Sequence, residues 1–235
     1  MIIQKQTTPQ KYTRILFFLF MALGIFARIW KFGAVPGDIN PDEAFAGYDA
    51  YNLLHYGVDS AGYRFPVYLT TWGSGTSALN TYLMIPFMAV FGAKIWVIRL
   101  PQVIVACFTL WATYLLVKRL FQEKIALCAL FLLAISPWHI GMSRWGMDCN
   151  MAPGFLIFGL YFFVRGLEDN RFLMLSALMY GLSLYCYATI WPIVPLLLLL
   201  QLAYGLAYRK IRFNLHLLLS GLILAVLAVP LLLFM

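Results

Sequence analysis

The sequence predicts an all-α fold, a multi-pass transmembrane helical bundle of about seven spans with interfacial helices in a long first outer loop. Three observations predict it. Of the 235 residues, 63% are hydrophobic and 11% charged, whereas soluble domains run near half apolar and about a quarter charged. Mean hydropathy is +0.83. Apolar runs recur along the chain, and a run of roughly 17–25 residues covers about 30 Å of hydrocarbon. This composition excludes an ordinary water-soluble domain, a disordered chain, a disulfide-stapled module and a soluble nucleic-acid binder. The expected surroundings are a lipid bilayer, with no nucleic acid as partner. Cys107, Cys128, Cys149 and Cys186 form no CxxC pair and read as small buried hydrophobes.

The elements follow in order. Residues 1–14 are polar, carry Lys5, Lys11 and Arg14, and read as a cytoplasmic N-terminus. The first span, 15–32, ends at Arg28-Ile29-Trp30-Lys31 with no small-residue cleavage site, which predicts an uncleaved signal anchor. Further spans are expected at 100–117, 125–141, 150–165 and 213–235. Between Arg171 and Arg209 lie 37 residues without a charge. One helix of that length would reach about 55 Å, so two helices meeting near Trp191-Pro192 are expected, with proline in a first turn and tryptophan at the interface.

The stretch 77–92 is apolar but short and holds Pro86. Because Lys and Arg collect in cytoplasmic loops, the basic residues decide whether it crosses. If it lies along the membrane, eleven of the 17 basic residues are cytoplasmic and six are outside; a crossing inverts the ratio. The expected topology therefore has the N-terminus inside and a first outer loop (33–96) and a second (142–149) on the outer face. Six of the nine acidic residues then face outward: Asp38, Asp42, Glu43, Asp49, Asp59 and Asp148.

A loop as long as 33–96 is usually functional. Its string Asn40-Pro41-Asp42-Glu43 reads as a helix start, with Asn at N-cap, Pro at N1 and Glu at N3. Glu43 then has a capping job, its carboxylate reaching back to the Asn40 N–H, alongside a catalytic reading. Asp42 at N2 has no such job and is the freer candidate base. In the second loop, Arg144 and Asp148 are spaced to pair across a helical turn, while an Arg beside aromatics at the interface could instead grip a phosphate. His139 reads as an interfacial polar tip, and His55 and His216 give no spacing that builds a metal site with it. Arg28, Lys31, Arg64, Lys94 and Arg99 read mostly as snorkelling cations. Tyr48, Tyr51, Tyr63, Tyr68, Trp72 and Tyr82 suit an interfacial belt or sugar stacking alike.

Taken together, Pro41-Asp42-Glu43-Ala44 opening the loop, Phe91-Gly92, Arg99-Leu100-Pro101 starting a span, and Ser136-Pro137 leading to Arg144 and Asp148 resemble the N-terminal part of GT-C fold glycosyltransferases. The group is the glycosyltransferase family 39-like one of protein O-mannosyltransferases and aminoarabinose transferases. The resemblance implies a glycosyltransferase of the cell envelope, of hexosyl or mannosyl type, in the plasma membrane. It would move a sugar from a polyprenyl-phosphate carrier to a protein, lipid or wall-polymer acceptor on the outer face. It places the catalytic carboxylates on Asp42 and Glu43, with Asp148 assisting, and the carrier phosphate on Arg144, with Arg64 and Lys94 as looser matches. Several relatives work without a metal, and no metal or other cofactor is expected.

Two departures stand out. Where relatives often carry a proline-rich string, this chain has Thr70-Thr71-Trp72-Gly73-Ser74-Gly75. It also stops within the apolar run Leu231-Leu232-Leu233-Phe234-Met235. Residues 15–235 are therefore expected to be a catalytic transmembrane module whose C-terminal part is missing, its activity as a truncated chain open. The competing expectations are a transporter or flippase for a lipid-linked glycan, disfavoured by nearly charge-free spans and no visible repeat, and an inactive remnant.

Overall fold

In the computed structural model the described residues are 10–234 apart from Trp72, Gly73, Arg209 and Arg212. Most of the polar start with Lys5, the middle of the Thr70–Gly75 string and the basic pair Arg209 and Arg212 thus lie outside them. The chain runs through α1 (Gln10–Ile29), α2 (Pro41–Tyr56), an antiparallel hairpin of β1 (Tyr68–Thr71) and β2 (Ser74–Ser77), and α3 (Leu79–Phe91). It continues through α4 (Ile95–Leu120), α5 (Glu123–Ile135), α6 (Pro137–Ser143), a 3-10 turn (Asp148–Met151) and α7 (Ala152–Gly166). The last elements are α8 (Phe172–Ser183), α9 (Ile190–Ala207) and α10 (Leu215–Phe234). The fold is the expected all-α membrane bundle, with one small hairpin that the sequence did not announce.

Five helices are long and apolar enough to cross a membrane, or six if the bent pair α5–α6 is one span. The expected continuous span 125–141 breaks by 60° at Ser136-Pro137. Proline lacks an N–H and keeps the preceding residue out of the helical region; Ser136 accordingly sits at φ −61°, ψ 113° and caps α6. The count of about seven included a full span before Trp191. There the helix is α8, 12 residues long and about 18 Å, because turns occupy 184–189. Trp191 and Pro192 do fall in the first turn of α9. At 13 residues, α3 is about 20 Å long, short of a span.

In lipid no hydrophobic force drives helices together, so small residues and close packing carry association. Leu110, Tyr114, Leu127, Leu130 and Ala134 join α4 and α5 with Phe17 and Phe20 of α1. On the other side of α4, a Cβ on Gly154 of α7 would meet the Thr109 hydroxyl and Val105, and one on Gly159 would press into the Tyr180 ring of α8. Met84, Met88, Val97 and Ile98 seat α3 and the start of α4 against Ala46 and Ala50 of α2. This last cluster holds the first loop against the bundle. Cys128, expected inside, is exposed on the bundle surface.

Candidate active site

The start of α2 forms as its residues dictate. Asn40 caps it, its Oδ1 accepting from the Asp42 N–H at 2.9 Å, and Glu43 Oε2 accepts from the Asn40 N–H at 3.0 Å. The capping role of Glu43 is only part of its surroundings. Arg99, 56 residues later, donates from Nε to Glu43 Oε1 at 2.9 Å and from Nη2 to Oε2 at 3.0 Å, and both side chains are fully buried. The other Arg99 protons go to carbonyls of Phe32, Pro36 and Asp38. Glu43 Oε1 also accepts from the Gly146 N–H at 2.6 Å. One buried ion pair thus ties together the chain leaving α1, the start of α2, the start of α4 and the second loop. Arg99 does not snorkel.

Asp42 is exposed beside this clamp, and its carboxylate has no hydrogen bond among the described residues. It lines a cavity of about 210 Å³ together with Asp148, Thr76, Ser77, Asn80 and Tyr187. Asp148 is fixed there from the opposite loop. Its Oδ2 accepts from Thr76 Oγ1 at 2.8 Å and the Ser77 N–H at 3.0 Å, and its Oδ1 accepts from the Cys149 N–H at 2.7 Å. Asn80 Nδ2 donates to the Gly146 carbonyl, a second tie between the loops. Two acids 106 positions apart in sequence therefore share one polar chamber, one held and one free. Burial, with Asp148 and Tyr187 nearby, pushes the Tyr68 phenol up, so it stays a proton donor, to the Gly75 carbonyl at 3.1 Å.

The expected Arg144–Asp148 pairing does not form. The helical repeat it needs is absent, because Arg144 ends α6 and Asp148 starts a separate 3-10 turn. Arg144 Nη2 instead donates to the Ala27 carbonyl at 2.6 Å, and its buried Nε has no partner among the described residues. It lines a mainly apolar cavity of about 630 Å³ with Val35, Pro36, Ile135, Trp138 and Trp145. Arg28 is fully buried, donating to the carbonyls of Gly24, Leu133 and Ala134 and to His139 Nδ1. His139 is thus the partner of a buried Arg across the α5–α6 break rather than a free interfacial tip. Arg64 and Lys94 are exposed and line neither cavity.

Asp49 and Asp59 stand apart from the chamber. Asp59 Oδ1 accepts from the N–H groups of Ala61 and Tyr63, and Asp49 Oδ1 from that of Ser60. Both close the turn after α2. Burial raises the Asp49 carboxyl above its usual range, opposed by the Ser60 contacts and reinforced by Asp59. Burial and Asp59 push the Tyr82 phenol up to about 12.

Residues 77–234 match the family described as Dolichyl-phosphate-mannose-protein mannosyltransferase. The chain belongs to this family. The family match takes in α3 to α10 with Arg99, Arg144 and Asp148, and begins after Asp42 and Glu43. The fold is also that of ArnT from Cupriavidus metallidurans, solved in the apo state, with a TM-score of 0.68 at 13% identity. That likeness covers 94% of this chain and 41% of the ArnT chain, so this chain spans well under half of it. Among curated protein sequences none matches. The mannosyltransferase-family assignment and the ArnT likeness together give this chain the GT-C, family 39-like fold that its residues resemble.

Proposed function

We propose that this chain carries the catalytic loops of a membrane glycosyltransferase, which moves a sugar from a polyprenyl-phosphate carrier to an acceptor on the outer face of the membrane. The observation that carries the reading is the chamber where the unpaired Asp42 meets the anchored Asp148. A general base must reach the proton it removes and keep its lone pairs available, and Asp42 does both. Asp42 takes the acceptor's proton as the acceptor oxygen bonds to the anomeric carbon. The bond from that carbon to the carrier phosphate breaks, and the polyprenyl phosphate leaves with the electron pair. Configuration inverts, since one displacement occurs.

Arg144 suits the departing phosphate. Its free Nε and planar guanidinium offset charge that grows on the leaving group, and the apolar cavity beside it gives the isoprenoid chain somewhere to lie. Glu43 and Arg99 act as positioning residues, holding the two loops in register. Arg64 and Lys94 have no part in this reading. The orientation follows the basic residues, with the N-terminus cytoplasmic and both acidic loops outside, in a plasma membrane.

The test is Asp42→Asn in the full-length protein, assayed in membranes with a labelled polyprenyl-phosphate sugar. Transfer should fall by about 10²–10⁴-fold while membrane insertion is unchanged. Wild-type turnover in the variant rules out Asp42 as the base.

A further inference from the structure

The chamber holds more unmet polarity than a base and its helper need. Ser77, Asn80 and Thr81 are 2%, 1% and 0% exposed, and all three line it. Yet Ser77 Oγ, Asn80 Oδ1 and Thr81 Oγ1 have no hydrogen-bond partner among the described residues. Native interiors pair such atoms with protein, water or ligand, so three on one wall mark a surface made for hydroxyl groups. The wall is rigid. Asn80 and Thr81 lie in the first turn of α3, Ser77 ends β2, and the Asn80 amide nitrogen is already committed to Gly146. Tyr187 adds an aromatic face.

Charge and size narrow the occupant. The chamber's lining includes two carboxylates, Asp42 and Asp148, and no Lys, Arg or His. An anionic group there would lose its hydration beside two like charges. The volume of about 210 Å³ equals roughly seven waters at about 30 Å³ each, which suits one monosaccharide ring.

We propose that this chamber is the subsite for the transferred sugar, that it takes a single uncharged or cationic pyranose and rejects uronates, and that Ser77, Asn80 and Thr81 read the sugar's hydroxyls. The proposal rests on the transferase reading and deepens it. Specificity then has an attractive part, the three polar atoms, and a repulsive part, the two acids.

The full-length protein is assayed with polyprenyl-phosphate-linked mannose, glucose and galactose, their amino and uronate counterparts, and monodeoxy analogues of the best neutral donor. Uronates should be turned over at least tenfold less efficiently than neutral sugars. A deoxy donor lacking a hydroxyl that the wall reads should lose about 3–10-fold in kcat/KM. Thr81→Val and Ser77→Ala should each erase the discrimination at one hydroxyl, with thermal unfolding unchanged. A merely structural role would instead lower kcat/KM for every donor alike.

The subsite is overturned if both variants discriminate among deoxy donors as the wild type does, or if a uronate matches its neutral counterpart. Asp42→Asn, run in parallel, separates the two claims. Its loss of transfer alongside unchanged deoxy discrimination in Ser77→Ala and Thr81→Val removes the subsite and leaves the transferase. Wild-type transfer by Asp42→Asn removes Asp42 as base, while the sugar preference still judges the subsite.

Discussion

Arg99→Met tests how the two outer loops are held together. Arg99 and Glu43 are both fully buried, joined by contacts of 2.9 and 3.0 Å. Removing the guanidinium leaves a carboxylate in the interior with only the Asn40 and Gly146 N–H groups for company. It also strips the carbonyls of Phe32, Pro36 and Asp38 of their donor. Breaking one side of a buried pair costs about 3–5 kcal/mol, and the bare carbonyls place Arg99→Met within that range rather than below it. Glu43→Leu alone should cost a similar amount, because it strands the cation. The double variant Arg99→Met/Glu43→Leu has no stranded charge and should lie below the sum of the singles by about 2–3 kcal/mol. Unfolding of the purified protein in mixed micelles, followed by tryptophan fluorescence, measures all three. Because the pair is shielded from solvent, added salt should change these differences little. Single variants within about 0.5 kcal/mol of wild type, as for surface positions, or strictly additive singles and double, would refute the clamp.

Other predictions follow from particular contacts. Asp148→Ala removes the acceptor of the Thr76, Ser77 and Cys149 bonds, and sugar transfer should fall at least tenfold while Asp148→Asn, which can keep part of that set, loses less; equal losses would argue against a positioning role. Asp49→Asn should stabilise the protein at neutral pH. The folded-state value is raised by burial, so the wild type carries a buried-charge cost above that value, which fades as pH falls through it and is gone below the ordinary 3.8; thermal melts across pH should show the variant's advantage shrinking in that direction. Gly159→Val puts a side chain where the Tyr180 ring already lies, and should destabilise by about 1–3 kcal/mol in the same micelle unfolding assay, whereas Gly141→Ala, with open space around it, should not.

The legible parts of the site were the local ones. Asn40, Pro41 and Glu43 form their cap within four residues, where backbone geometry leaves few choices, and the structure has it as read. Arg28 and Arg99 were misread as snorkelling because their partners, His139 and Glu43, lie 111 and 56 residues away. A sequence shows that an Arg flanks an apolar run, but not that carbonyls and a carboxylate converge on it from three other segments. Ser77, Asn80 and Thr81 gave no signal at all, since hydroxyls and an amide near an apolar helix are unremarkable until burial leaves them without partners. The hairpin was likewise silent, being two strands of four residues each with no alternating apolar pattern to announce them.

Composition alone determined that this is a helical membrane protein, because a chain with 63% hydrophobic and 11% charged residues can satisfy its backbone in lipid only through helices or a closed barrel, and its long apolar runs suit helices. The order of short motifs along it determined the family resemblance. What only the tertiary structure decided is which of the outward-facing groups are free to act. Glu43 and Asp148 are both acids in outer loops, yet one is consumed by Arg99 and the other by the hairpin, while Asp42 is left open. That division depends on how helices far apart in sequence pack, and charge in a buried place goes to whichever partner the packing delivers.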